Sequence, residues 1–309
     1  MITVRPELVE GRRAPVILEM IQEAAGILLE ARVHRPQWTA EQLLAERLGC
    51  LPVDLYVEPP AVPSKKSVQF LSDIAARANG VPLQYLLGSA DFYGREFSVG
   101  PGVFIPRPET EVLIDAVLNM LSIPVRAELV EARGGDSPVL VDVGTGSGAI
   151  AITLAKERPG LRPLAVERSS VALHFARRNA LRHRAEVSFI QGDLLAGLVP
   201  QSVDCIVANL PYLNPTDALT WPRELAWEPW LALDGGVEGV ALIEQLLAQA
   251  PRVLKLEGRV VLEIGMGQAE QVRTLAEENG FEPEKIIPDL AGLDRVMVLR
   301  WSNQNRRDA

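Results

Sequence analysis

The chain has 309 residues, 48% hydrophobic and 23% charged, with a net charge of −9 and a mean hydropathy of +0.11. That length suits two domains with a substantial core, and no run approaches the roughly 20 apolar residues of a membrane span. The net acidity weighs against a protein that grips nucleic acid over a broad face, because such binding depends on phosphate neutralisation by Lys and Arg.

Cys50 and Cys205 are too few and too far apart for a disulfide scaffold or a zinc site. The start, "MITVRPELVEGRRAP", lacks the apolar core of a secretory signal, so a cytoplasmic location is expected, with no metal and no membrane partner.

Residues 14–90 carry helical spacing. "PVILEMIQEAAGILLEAR" places Ile17, Ile21, Ala24, Ala25 and Leu28 on one face. "TAEQLLAERLG" is expected to start at Thr39 as N-cap and stop at Gly49, and "SVQFLSDIAARANG" to pack Val68, Leu71, Ile74 and Ala75 before Gly80. "DFYGREFSVGPGVFI" (91–105) has aromatic and β-branched residues with Gly at turn spacing, which predicts a short hairpin. In "PRPETEVLIDAVLNML" Pro108 suits a first helical turn, and Glu109 and Glu111 suit the positive end of its dipole.

"VRPELVEG" (4–11) recurs as "VRAELVEA" (125–132), which we read as exposed, tolerated insertions. From Val139 short apolar strands ("PVLVDVG", "RPLAVE", "EVSFIQ", "VDCIVAN", "GRVVLEIG") alternate with helical segments, which predicts βαβ units and a mainly parallel sheet. The gap between "PEKIIPDL" and "DRVMVLRW" is too short for a parallel crossover, so an antiparallel hairpin ends the sheet. The expected organisation is a helical domain (1–90), a hairpin and connector (91–122), an exposed linker (123–137) and an α/β domain (138–309).

"VLVDVGTGSGAIAITLA" runs a strand through Gly144, Thr145, Gly146, Ser147 and Gly148 into a helix, a loop that lets a ligand approach backbone N–H groups. Such loops serve both dinucleotide and S-adenosylmethionine folds. Asp142 ahead of the glycines and Glu167 at the next strand end, placed for two ribose hydroxyls, favour the methyl donor. Asp193, at the third strand end, is placed to accept from an adenine amino group, with Leu194 packing on the ring.

The fourth strand delivers "ANLPY" to the same edge. A planar amide or aromatic amine nitrogen is a poor nucleophile because its lone pair is delocalised. Acceptors for both of its N–H bonds hold that lone pair toward a methyl group. Asn209 Oδ1 and the Leu210 carbonyl are the candidate acceptors; Pro211 restricts Leu210 to extended angles, and Tyr212 walls in the planar target.

"NLPY" is similar to the N-P-P-Y signature of amino methyltransferases, and nearly the whole chain resembles the HemK/PrmC family of peptide chain release factor N5-glutamine methyltransferases. The resemblance spans "GVPLQYLLGSADFYG", "FIPRPETEVLID", "DVGTGSGAIAI", "EPWLALDGGVEG", "GRVVLEIG" and "DLAGLDRVMVLRW". It implies a Rossmann-like methyltransferase sheet, S-adenosyl-L-methionine as cofactor and S-adenosyl-L-homocysteine as product. The implied target is the glutamine of a Gly-Gly-Gln motif in class 1 release factors, and a monomer without direct nucleic-acid binding is expected.

Carried over by position, the resemblance implies cofactor contacts at Gly144 to Gly148, Glu167, Leu194 and Asn209, with the target amide held by Asn209 through Tyr212. The family's connector lines the pocket, so Phe104, Arg107, Glu109 and Thr110 contribute there, or Arg107 and Glu109 form a domain-linking ion pair. Leu210 departs from the family's proline but keeps the backbone carbonyl the chemistry asks for. The alternatives are an adenine N6 methyltransferase acting on RNA or DNA and a ribosomal-protein glutamine methyltransferase, whose connector after "PR" differs from "PRPETE".

Overall fold

The computed structural model describes residues 13–122 and 138–302. Both copies of the repeated peptide lie outside these residues. The chain divides into two compact units: one runs to Gly88 and takes in Pro222–Trp227, and the other comprises Ser89–Trp221 and continues from Glu228.

The first unit is a helical bundle of α1 (Arg13–Glu30), α2 (Pro36–Leu48), α3 (Asp54–Val57), α4 (Ser64–Ala78) and α5 (Leu83–Leu87). Ile17, Ile21, Ala24 and Leu28 of α1 are buried as their spacing predicts, against Leu43, Leu44, Phe70 and Ile74. Two expectations fail. Helix α2 begins at Pro36, so Thr39 is a buried residue inside its first turn rather than its cap; proline's fixed φ starts a helix without a side-chain cap. In α4 the packed face runs through Phe70, Ile74 and Arg77, leaving Val68 66% exposed. The Arg77 guanidinium donates to the Val81 carbonyl at 3.0 Å and pairs with Glu224, which ties Pro222–Trp227 to this bundle.

The second unit opens with a hairpin, β1 (Ser89–Phe92) and β2 (Arg95–Ser98), which starts earlier and ends sooner than its aromatic pattern suggests. Its two turn residues, Tyr93 and Gly94, both have positive φ (50° and 67°), the geometry that matches strand twist in a two-residue turn. A 3-10 turn at Pro108–Thr110 leads into α6 (Glu111–Ser122), and the Glu111 carboxylate accepts from the Tyr93 N–H at 2.8 Å.

The large sheet comprises β3 (Leu140–Val143), β4 (Leu164–Glu167), β5 (Ser188–Gln191), β6 (Val203–Ala208), β7 (Leu254–Glu263), β8 (Phe281–Pro288) and β9 (Asp294–Trp301), in the order β5-β4-β3-β6-β7-β9-β8. Strands β5, β4, β3, β6 and β7 pair in parallel; β9 is antiparallel to both its neighbours, as the short last connection requires. Helices α7 (Ala149–Glu157), α8 (Ser170–His183), α9 (Ala241–Val253) and α10 (Ala269–Glu278) supply crossovers. Every residue of β3 and β6 is buried, which explains why both are apolar apart from one buried acid each, Asp142 and Asp204. The chain winds outward from β3 through β4 to β5, then returns to lay β6 on the other side of β3, so the carboxyl ends of β3 and β6 form the switch point where such sheets bind ligands. No helix among the described residues is long and apolar enough to cross a membrane.

Candidate functional site

Register places the two sequence motifs side by side. Val143 pairs with Ala208 in parallel, so Gly144 and Asn209 leave the sheet at the same level, and Ala208 pairs in turn with Leu262, which precedes Glu263. The glycine loop, the "NLPY" exit and the end of β7 therefore meet at one edge.

The loop's form follows from its glycines and one buried acid. Gly144, Gly146 and Gly148 have φ of 74°, 56° and 83°, values that strain residues with a Cβ. Asp142 Oδ2 accepts from Thr145 Oγ1 at 2.6 Å and from the Ala151 N–H at 3.1 Å, clamping the loop to the first turn of α7. Complete burial pushes the Asp142 carboxyl up to about 7 despite those two bonds, and the neighbouring Glu167 charge adds to the rise. Asp142 Oδ1 is buried without a hydrogen-bond partner among the described residues.

Glu167 is 9% exposed, and its Oε2 accepts from the Gly146 N–H at 2.9 Å while Oε1 accepts from Ser169 N–H at 2.8 Å. Each oxygen keeps a second lone pair for a ligand hydroxyl. A Cβ built on Gly146 meets only the Gly144 carbonyl, at 4.0 Å, so the space above the loop is open. An open glycine cradle beside a carboxylate with spare acceptor capacity fits a nucleoside cofactor. The Thr145 and Ser147 side chains are buried, leaving backbone as the surface a ligand meets. Asp193 is exposed, whereas Leu194 is 8% exposed at a φ of 47°.

Around the "NLPY" exit, Asn209 is half-buried and its Nδ2 donates to Thr110 Oγ1 at 3.0 Å. Neither Asn209 Oδ1 nor the Leu210 carbonyl accepts a hydrogen bond from the described residues. The Leu210 side chain, 4% exposed, points into the core, where Cδ2 lies 3.2 Å from the position of a Cβ on Gly144. The Tyr212 hydroxyl donates to Glu263 Oε1 at 3.2 Å; burial and that adjacent acid hold its pKa well above the usual phenol range. Glu263 is 1% exposed. Burial raises its pKa, while the Thr110 hydroxyl, Arg295 and Tyr212 pull it down.

The connector contributes differently from the sequence expectation. Arg107 pairs with Glu228 rather than Glu109, and its guanidinium stacks over the Phe104 ring at 4.6 Å from the centroid. Glu228 also accepts from the Ile105 N–H at 3.1 Å, so one buried carboxylate holds both ends of "IPR". Glu109 is exposed, and Thr110 is buried against Asn209.

Sequence reasoning gave no role to four residues that shape this site. Asn179 of α8, fully buried, accepts from the Ser98 N–H at 2.7 Å and donates to the carbonyls of Ser98 (3.0 Å) and Ser147 (2.9 Å), joining β2 to the glycine loop. Gln268 Nε2 donates to the Tyr212 carbonyl at 3.1 Å while its Oε1 accepts from Gly265 N–H at 2.8 Å. The others are Glu228 and Glu263. A Glu ending the apolar run "VVLE" is the one signal that could have flagged Glu263. The glycines of "DGGVEG" are also explained: a Cβ on Gly235 falls 2.7 Å from Tyr212 Cα, and one on Gly239 falls 2.2 Å from the Tyr212 carbonyl.

Comparison with known proteins agrees with this geometry. Residues 19–88 match the family model "PrmC N-terminal domain", and residues 127–221 match "Methyltransferase small domain". A protein of Koribacter versatilis named release factor glutamine methyltransferase is 39% identical over 268 residues, 86% of this chain and 91% of the relative. Proteins of the same name share 42% identity over 227 residues in Neisseria gonorrhoeae (73% of this chain, 78% of the relative) and 35% over 284 in Geobacter sulfurreducens (91% and 95%).

Proposed function

This chain belongs to the release factor glutamine methyltransferase family, and from that premise we propose that it methylates the side-chain amide nitrogen (N5) of a glutamine in a peptide chain release factor. S-adenosyl-L-methionine is the methyl donor, and the target is the glutamine of the Gly-Gly-Gln tripeptide in class 1 release factors. The observation that carries this reading is the pair of unused acceptors, Asn209 Oδ1 and the Leu210 carbonyl, at the edge where the glycine loop also emerges.

The cofactor, when bound, supplies a methyl group made electrophilic by its sulfonium. Gly144 to Gly148 and Glu167 hold it, with Asp193 and Leu194 at the adenine end. The remaining work belongs to the chain. The amide nitrogen of glutamine has two N–H bonds and a delocalised lone pair. Accepting one N–H at Asn209 Oδ1 and the other at the Leu210 carbonyl aims the lone pair and favours the charge that builds on nitrogen as the N–C bond forms. The electron pair of the broken S–CH3 bond stays on the donor's sulfur, which leaves as the thioether S-adenosyl-L-homocysteine, and the methylated nitrogen gives one proton to water to restore the neutral amide. Pro211 keeps Leu210 extended, so its carbonyl stays aimed, and Tyr212, anchored on Glu263, forms the wall of the slot.

The test is transfer of labelled methyl from S-adenosylmethionine to a release factor, beside the same factor with the tripeptide Gln changed to Ala, with RNA as a counter-substrate. We expect labelling of the unaltered factor alone, and an Asn209→Ala enzyme slower by about 100-fold or more, the scale for removing a positioned polar contact to a developing charge. Labelling that persists on the altered factor refutes the assigned target; labelling of RNA alone refutes the reaction.

A further inference from the structure

Two residues of the "NLPY" exit converge on one carboxylate. The Tyr212 hydroxyl donates to Glu263 directly at 3.2 Å. Asn209 approaches it through Thr110: its Nδ2 donates to Thr110 Oγ1 at 3.0 Å, and the Thr110 hydroxyl lowers the Glu263 pKa, while Glu263 Oε2 is buried without a hydrogen-bond partner among the described residues. Thr110 is 4% exposed and Glu263 1%, so the carboxylate end of this chain of groups is shielded from water.

The sense of each bond follows from donor and acceptor chemistry. With Glu263 ionised, its unpartnered Oε2 is the buried acceptor open to the Thr110 hydroxyl hydrogen, and a hydroxyl turned that way has only lone pairs left for Asn209. A side-chain amide facing lone pairs turns its NH2 toward them and its oxygen away. We propose, building on the functional reading above, that Thr110 and Glu263 are positioning residues that set the sense of the Asn209 amide, so that Oδ1 and not Nδ2 faces the substrate glutamine. With the amide reversed, Nδ2 would meet the N–H bonds of the target and repel them. The sequence motif supplies an Asn at this edge, but Asn has two nearly isosteric orientations and nothing within "NLPY" selects between them. The selection comes from the connector and from the end of β7.

The experiment has two arms on the full-length protein. In the first, the Asn209 side-chain NH2 signals, identified by their loss in Asn209→Ala, are followed by NMR. We expect them protected from water exchange in the wild type and in Thr110→Ser, exposed in the isosteric Thr110→Val, and shifted in Glu263→Gln, where a side-chain amide donor competes for the Thr110 lone pairs. In the second, methyl transfer to the release factor is measured. Thr110→Val and Glu263→Gln should lower kcat by about 10-fold or more with KM for the release factor little changed, and Thr110→Ser should restore kcat to within a few-fold. Val and Ser variants that both match the wild type in kcat and in amide exchange overturn the proposal. If Thr110→Val does not fold, Glu263→Gln decides, and an unshifted amide pair with wild-type kcat overturns it. A wild-type enzyme that leaves the release factor unlabelled refutes the functional reading alone, because the amide signals still decide the positioning role.

Discussion

Leu210→Ala removes a side chain that is 4% exposed and leaves its backbone carbonyl in place. If that carbonyl is what the reaction uses, stability and chemistry should separate. Truncating a buried Leu costs about 2–5 kcal/mol depending on how well the site collapses. Leu210 belongs to the same buried cluster as Val143, Ala208 and Leu262 on three paired strands, and its Cδ2 lies 3.2 Å from the position of a Cβ on Gly144, a setting that does not collapse easily. A loss of about 3 kcal/mol is therefore expected, and at about 2–4 °C per kcal/mol Tm falls by about 6–12 °C. Thermal unfolding by circular dichroism gives Tm, and kcat is measured well below the transition, where we expect it within a few-fold of wild type. A kcat reduced 100-fold with Tm unchanged would place the chemistry in the side chain and refute the reasoning. The converse substitution probes the same contact: Gly144→Ala adds a methyl 3.2 Å from Leu210 Cδ2 at a φ of 74°. The double variant removes that approach, so its loss should be smaller than the sum of the single losses by about 0.5 kcal/mol or more.

The Asp142 carboxyl, raised from 3.8 to about 7, binds its proton more tightly in the folded than in the unfolded state. Its contribution to stability therefore falls as pH rises between about 4 and 7, by up to a value on the order of 4 kcal/mol, and is flat above that window. Subtracting the denaturant stability of Asp142→Asn from that of the ligand-free wild type across this range should reveal the slope, and a difference that is constant or grows with pH contradicts it. Glu228→Ala strands the Arg107 guanidinium and the Ile105 N–H and should lower stability by about 3 kcal/mol. Glu228→Gln keeps an acceptor and should lose about half of that, read from the same unfolding curves. Gly239→Ala, with its Cβ 2.2 Å from the Tyr212 carbonyl and φ at 74°, should yield little folded protein, whereas Gly267→Ala, with φ at 80° and open space around it, should lose only about 1–2 kcal/mol. Equal yields of the two variants would show that the backbone at Tyr212 gives way.

The sequence alone determined the parts of this protein that local chemistry dictates. Short, largely apolar runs in β3 and β6 without alternation required strands buried on both faces, the loop Gly144 to Gly148 required left-handed backbone, and the short link between β8 and β9 required an antiparallel end. The strand-end placement of Glu167 and Asn209 followed from the same periodicity. Where spacing left a face open, the bundle decided: α4 packs through Phe70 and Ile74 and exposes Val68, because the partner surfaces of α1 and α2 lie far away in sequence. The choice of partners was likewise beyond reach. Arg107 lies two residues from Glu109 yet pairs with Glu228, and Asn209 is oriented by Thr110, 99 residues earlier. Those contacts depend on which strand ends lie side by side, and only the tertiary structure, by returning β6 to the flank of β3 with β7 beyond it, brings Asn209, Thr110 and Glu263 within reach of one another.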